Sequence, residues 1–189
     1  GAAGQDVTGG TGDDTVNLGG FDPTGTLDGG AGGGNDTLVV GGNRSLTGGT
    51  VQGFEVLDLT SGVSVTMTVA QHNQFTGTAN AGGSETITLS DAGTVTGLAD
   101  VEAYNLADGA NSFTLGAAGQ DVTGGTGDDT VVTGGFDPTG TLALADGTNL
   151  VDISGGDDIS GATITTSGSY NIQLNGAATM TAAQHTGAG

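Results

Sequence analysis

Sixteen residues occur twice in this chain, letter for letter. GAAGQDVTGGTGDDTV fills positions 1–16 and again 116–131. GGFDPTGTL follows at 19–27 and at 134–142, and MTVAQH at 67–72 has the near-copy MTAAQH at 180–185. The offset starts at 115 and ends at 113, so a unit of about 114 residues recurs, over 1–115 and, incompletely, over 116–189. A chain of this kind folds as supersecondary pieces stacked on their own copies. The expected organisation is one elongated repeat array over 1–189. Gly1 is not a natural initiator, so the chain is expected to be an excerpt.

Smaller repeats lie inside the unit. FEVLDLTSG (54–62), VEAYNLADG (101–109) and SYNIQLNG (169–176) align at their final Gly. Short apolar pieces precede them, TLVV at 37–40, TITL at 86–89 and VDI at 151–153, and so do the Gly turns LTGG, VTGL and ISGA at 46–49, 95–98 and 159–162. The period within the pieces is two. Leu57 and Leu59 face one way and Val56 and Asp58 the other, and Val63, Val65 and Met67 alternate with Ser and Thr. Many short Thr- and Val-rich strands between Gly turns predict stacked coils, each lending one or two apolar side chains to a narrow core. The only helix expected is a single turn at TVAQ (68–71) and at its twin TAAQ (181–184). There Thr followed three residues on by Gln forms a capping box.

Charge limits what such a fold can do. The chain carries −20 with one basic residue, Arg44, and its Leu, Ile, Val and Phe number only 39 of 189. Self-repulsion opposes compaction, and bound cations would relieve it. A nucleic-acid partner needs Lys and Arg, as does an anionic membrane surface, so neither is expected. No apolar run approaches 18 residues, so membrane insertion is not expected. There is no cysteine and hence no disulfide signature.

One motif suits cations. GGTGDDTVN at 9–17 and GGTGDDTVV at 124–132 both fit G-G-x-G-x-D-x-U-x, with Val16 and Val131 at the large apolar position U. AGGGNDTLV at 31–39 is a near-match with Ala31 for the first Gly. The glycines let the chain curl so that carbonyl oxygens turn inward, and the Asp adds a hard charged oxygen. Calcium takes six to eight oxygens, more than one loop supplies, but two stacked loops suffice. The competing possibility is a metal-free solenoid in which these loops are plain Gly-Asp turns. The clustered carboxylates weigh against it.

On these nonapeptides the chain resembles the repeats-in-toxin (RTX) calcium-binding family of bacteria. The Thr-rich segments between them resemble those of surface-layer proteins and large type I secreted adhesins. The resemblance implies an all-β, right-handed parallel β-solenoid (β-roll) with Ca2+ held between a loop and the loop two motifs later. Carried over, Asp14 and Asp36 share an ion with the loop glycines Gly10, Gly12 and Gly34. Asp129 does likewise with Gly125 and Gly127, its partner being Asp146 or Asp137. Asp6, Asp22 and Asp121 serve the opposite edge. The family's setting places the module outside a bacterial cell, where modules of this kind bind calcium at about 10⁻⁴–10⁻³ M.

Other residues read more plainly. His72 and His185 close a copied capped turn. Glu55 and Glu102 precede a strand and suit a turn hydrogen bond. Arg44 suits a solvated turn, with Asp58 or a neighbouring copy as an alternative partner. No nucleophile–base pair is visible, so no enzymatic activity is expected. The expected function is a calcium-stabilised structural module of a surface layer, filament or matrix that associates with its own copies. The alternative is a stalk or ligand-binding module of a secreted adhesin, with surface polysaccharide as a further candidate partner.

Overall fold

A computed structural model describes residues 2–189. Among the described residues the chain is all-β apart from two short helices and coils as a parallel β-solenoid of about 8 turns. It divides into two compact units. One runs to Ser90 and includes Leu98–Val101; the other comprises Asp91–Gly97 and Glu102–Gly189. This division does not fall at the 115/116 seam of the sequence repeat.

The first unit holds β1 (Val7–Thr8), β2 (Thr15–Asn17), β3 (Thr26–Asp28), β4 (Thr37–Val40), β5 (Arg44–Ser45), β6 (Thr50–Gln52), β7 (Val56–Leu59), β8 (Ser64–Met67), α1 (Val69–His72), β9 (Gly77–Ala79) and β10 (Thr86–Leu89). They form three parallel stacks, β1-β3-β6, β2-β4-β7-β9 and β5-β8-β10. The second unit holds β11 (Thr94–Thr96), β12 (Ala103–Asn105), β13 (Ser112–Thr114), β14 (Asp121–Thr123), β15 (Thr130–Val132), β16 (Thr141–Leu144), β17 (Thr148–Ile153), β18 (Thr163–Thr166), β19 (Ser169–Leu174) and α2 (Ala182–Gly187). It forms two parallel stacks, β11-β13-β15-β17-β19 and β12-β14-β16-β18.

The period-two pattern sorts side chains as its chemistry requires. Leu57, Leu59, Val65 and Met67 are fully buried, and the residues between them are partly or wholly exposed. The second unit opens on the tightest coils. Val95 lies against Phe113 and Phe113 against Val131, while Tyr104 lies against Val122, each pair 18 residues apart. Val95, Tyr104, Phe113, Val122 and Val131 thus recur every nine residues, all at most 2 % exposed. This is the nonapeptide frame continued through sequence that does not display it. The rings of Tyr104 and Phe113 meet at 4.7 Å, tilted by 51°, a favourable aromatic geometry.

Both helices form where the capping box places them. The hydroxyl of Thr68 accepts from Gln71 N, and Gln71 Oε1 accepts from Thr68 N; Thr181 and Gln184 do the same. Each Gln then anchors its helix to a Gly turn. Gln71 Nε2 donates to the carbonyls of Leu46 and Gly49, and Gln184 Nε2 to those of Ile159 and Ala162. Two of the three recurrent Gly turns, LTGG and ISGA, thus each receive a helix.

Candidate functional site

The acidic residues of the loops sit at the entries to strands, where a turning backbone leaves amides without ladder partners. Their carboxylates supply acceptors from one coil to the next. In the first unit, Asp14 N donates to Asp36 Oδ1 at 2.8 Å and Asp36 N to Glu55 Oε2 at 2.9 Å. In the second, Gly93 N donates to Asn111 Oδ1, Asn111 N to Asp129 Oδ1 and Asp129 N to Asn149 Oδ1. One side chain per coil, two residues before the buried U residue, builds this polar column in each unit.

The other predicted residues take comparable places. Asp6 and Asp121, equivalent in the repeat, accept from Thr26 N and Thr141 N. Asp22 and Asp137, also equivalent, accept from Ser45 N and Asp158 N. Asp146 bonds the hydroxyl of Ser167. Gly12 and Gly127 adopt φ of +115° and +132°, the left-handed curl the nonapeptide requires. Gly34 packs on the backbone of Gly12 and Asp13, so Asp14 and Asp36 lie on touching coils.

Asp129 stands apart from these. It is 1 % exposed. Its Oδ1 accepts twice from Asn111, from N at 3.1 Å and from Nδ2 at 2.8 Å. Its Oδ2 is buried with no hydrogen-bond partner. Burial raises its pKa above the ordinary carboxylate value, against the pull of the Asn111 bonds, and neighbouring Asp128 adds to the rise. By contrast, Asp14 is only partly buried and its Oδ2 accepts from Gly10 N at 2.6 Å. The residues stacked on Asp129 are Asn111 and Asn149, while the contacts of Asp137 and Asp146 are to Asp158 and Ser167.

Sequence reasoning missed Asn111 and Asn149. The available signal was LADGAN at 106–111 and LADGTN at 144–149, which keep the central Gly and replace the motif's Asp with Asn. Their amides also tie down their own loops, Asn111 Nδ2 donating to the carbonyls of Ala107 and Gly109, and Asn149 Nδ2 to that of Ala145.

A divalent cation suits the Asp129 position, since a desolvated carboxylate oxygen without a donor is costly unless something positive meets it. Among the described residues, no three acidic or histidine side chains converge. A site there would draw its remaining oxygens from backbone carbonyls, as calcium sites in Gly-rich loops do. Arg44 does not fill this role: its guanidinium donates to the carbonyls of Asn43 and Gly19. His72 is 1 % exposed and desolvation lowers its pKa, whereas His185 is exposed. The class of protein defined by these coils is the parallel β-solenoid. No described family, curated protein or solved structure matches the chain.

Proposed function

We propose that the chain is a calcium-stabilised structural module of an extracellular bacterial assembly, with no catalytic role. The observation that supports this most is the buried Oδ2 of Asp129, left without a donor inside a Gly-rich loop. Asp129 would hold Ca2+ through that oxygen, with carbonyls of the 124–129 loop completing the shell. Asp14 and Asp36, stacked on touching coils, are the second position. The net charge of −20 adds a general reason, because bound cations offset repulsion that a thin core resists poorly. The nonapeptide resemblance supplies the extracellular setting and the identity of the ion.

Far-UV circular dichroism of the metal-stripped chain, titrated with calcium, tests this reading. Strand signal should rise with a midpoint at about 10⁻⁴–10⁻³ M. Strand content that is full in chelator and indifferent to calcium would contradict it.

A further inference from the structure

Three bonds in this chain join Asp to Gly: Asp28–Gly29, Asp108–Gly109 and Asp146–Gly147. Such a pair is chemically weak, because a glycine amide has no Cβ beside it to shield its nitrogen from the carboxyl of the preceding residue. Each bond lies in a loop that stacks on another coil, but the three are held differently.

Two are locked. Gly29 N donates to Gln52 O at 3.0 Å and Gly109 N to Thr126 O at 2.6 Å, so both nitrogens are engaged. The carboxylates are engaged as well. Asp28 accepts from Gly30 N at Oδ1 and from Gln52 Nε2 at Oδ2. Asp108 Oδ1 accepts from Thr126 N and from Thr126 Oγ1, both at 2.9 Å, and these bonds hold its pKa below the ordinary carboxylate value. A carboxylate kept ionised is a poor target for a nucleophile.

Asp146–Gly147 sits in the same LADG sequence as Asp108–Gly109. It lies between two coils, with Gly127 N donating to Asp146 O and Ser169 N to Gly147 O. Among the described residues, however, Gly147 N has no acceptor, and the Asp146 carboxylate has one donor, Ser167 Oγ at Oδ1. The Asp146 side chain is exposed to water. Stacking also forbids a bulkier residue at 147. Its φ is +118°, and a Cβ there would come within 2.1 Å of Gly127 O. The fold thus requires the glycine that makes the bond weak.

We propose that Asp146–Gly147 is an isomerisation site, where the main chain rearranges through a succinimide to isoaspartate while the other two Asp–Gly bonds are protected. Gly147 N attacks Cγ of the protonated Asp146 carboxyl. The N–Cγ bond forms, the Cγ–O bond breaks, and the hydroxyl leaves as water with the amide proton. Water then opens the ring at either carbonyl, giving Asp or isoaspartate with no change of oxidation state. Isoaspartate carries the main chain through Cβ and so lengthens the 145–149 loop by one methylene. Asn149 closes that loop: its Nδ2 donates to Ala145 O, and its Oδ1 accepts from Asp129 N. Rearrangement at 146 therefore loosens the amide that tethers Asp129. The proposal does not depend on calcium binding.

The test ages the full chain folded, in calcium-containing buffer, and in parallel unfolded in urea. Peptides from both are treated with an isoaspartyl methyltransferase, and the methylated positions are located by mass spectrometry. In the folded chain, isoaspartate at 146 should exceed that at 28 and at 108 by about tenfold or more, the protection expected from a locked amide. In the unfolded chain, 108 and 146 should label alike, because their local sequences match. Asp146→Glu, whose longer side chain cannot close the five-membered ring, should remove the signal at 146. Folded chain labelled equally at 108 and 146, or unlabelled at 146, would overturn the proposal.

Discussion

Residues 1–16 and 116–131 are the same peptide, yet only the second is a core. Val131 is fully buried on Phe113, while Val16, with β4 on one side only, is partly exposed. Gly125 touches the coil before it and Gly10 does not. Asp129 is sealed, with one oxygen unsatisfied, whereas Asp14 is partly exposed with its Oδ2 bonded. In a stacked coil, then, local sequence determines strand, turn and inward side, but burial depends on which coil comes next.

Substitutions at equivalent positions should break this symmetry. The largest effect is expected for Val122→Asp, which buries an unpaired charge and should cost more than about 4 kcal/mol. Val7→Asp should stay within about 0.5 kcal/mol on its exposed face. Chemical denaturation of the pair measures the gap, and equal losses would contradict it. Next comes Gly125→Ala, whose Cβ overlaps Ala107, with an expected cost of about 1–3 kcal/mol from overpacking. Gly10→Ala should be close to neutral or slightly stabilising, since Gly10 has room and a φ outside the left-handed region.

The smallest effect is expected at His72, buried where its repeat counterpart His185 is exposed. Burial depresses the pKa of His72, so the folded state binds fewer protons than the unfolded one in the window below about 6.5. That contribution is fully present above the unfolded value and is lost as pH falls from there through the folded pKa. Thermal melts between pH 7 and pH 5 should show a decline that His72→Gln flattens, and an undiminished decline in that variant would contradict this.

Much of this architecture was legible in the sequence. Alternation marked Leu57, Leu59, Val65 and Met67 as inward, and Thr68 with Gln71 marked the helical turn. Gly12 and Gly127 could be assigned to the curl because only glycine suits it. Stacking partners were harder to read, because coil length varies. The step is 18 residues from Tyr104 to Val122, 20 from Val131 to Val151 and 24 from Leu27 to Val51. The 143–149 loop, which holds Asp146, does lie on the 124–129 loop, with Gly127 N donating to Asp146 O, but the side chains stacked on Asp129 are those of Asn111 and Asn149. The loop acids also carry a second duty that composition does not reveal. Asp6, Asp22, Asp36, Asp121 and Asp137 each accept a backbone amide from a neighbouring coil. Clustered carboxylates therefore have a structural use that needs no ion.

Paired melts, with and without calcium, separate these two duties at Asp129. Asp129→Asn keeps an oxygen for the Asn111 amide and removes the charge. If Oδ2 grips calcium, the metal-stripped variant should melt at or above the wild-type temperature, and calcium should raise wild type well above the variant. Wild type and Asp129→Asn responding equally to calcium, or neither responding, would contradict the site on which the proposed function rests.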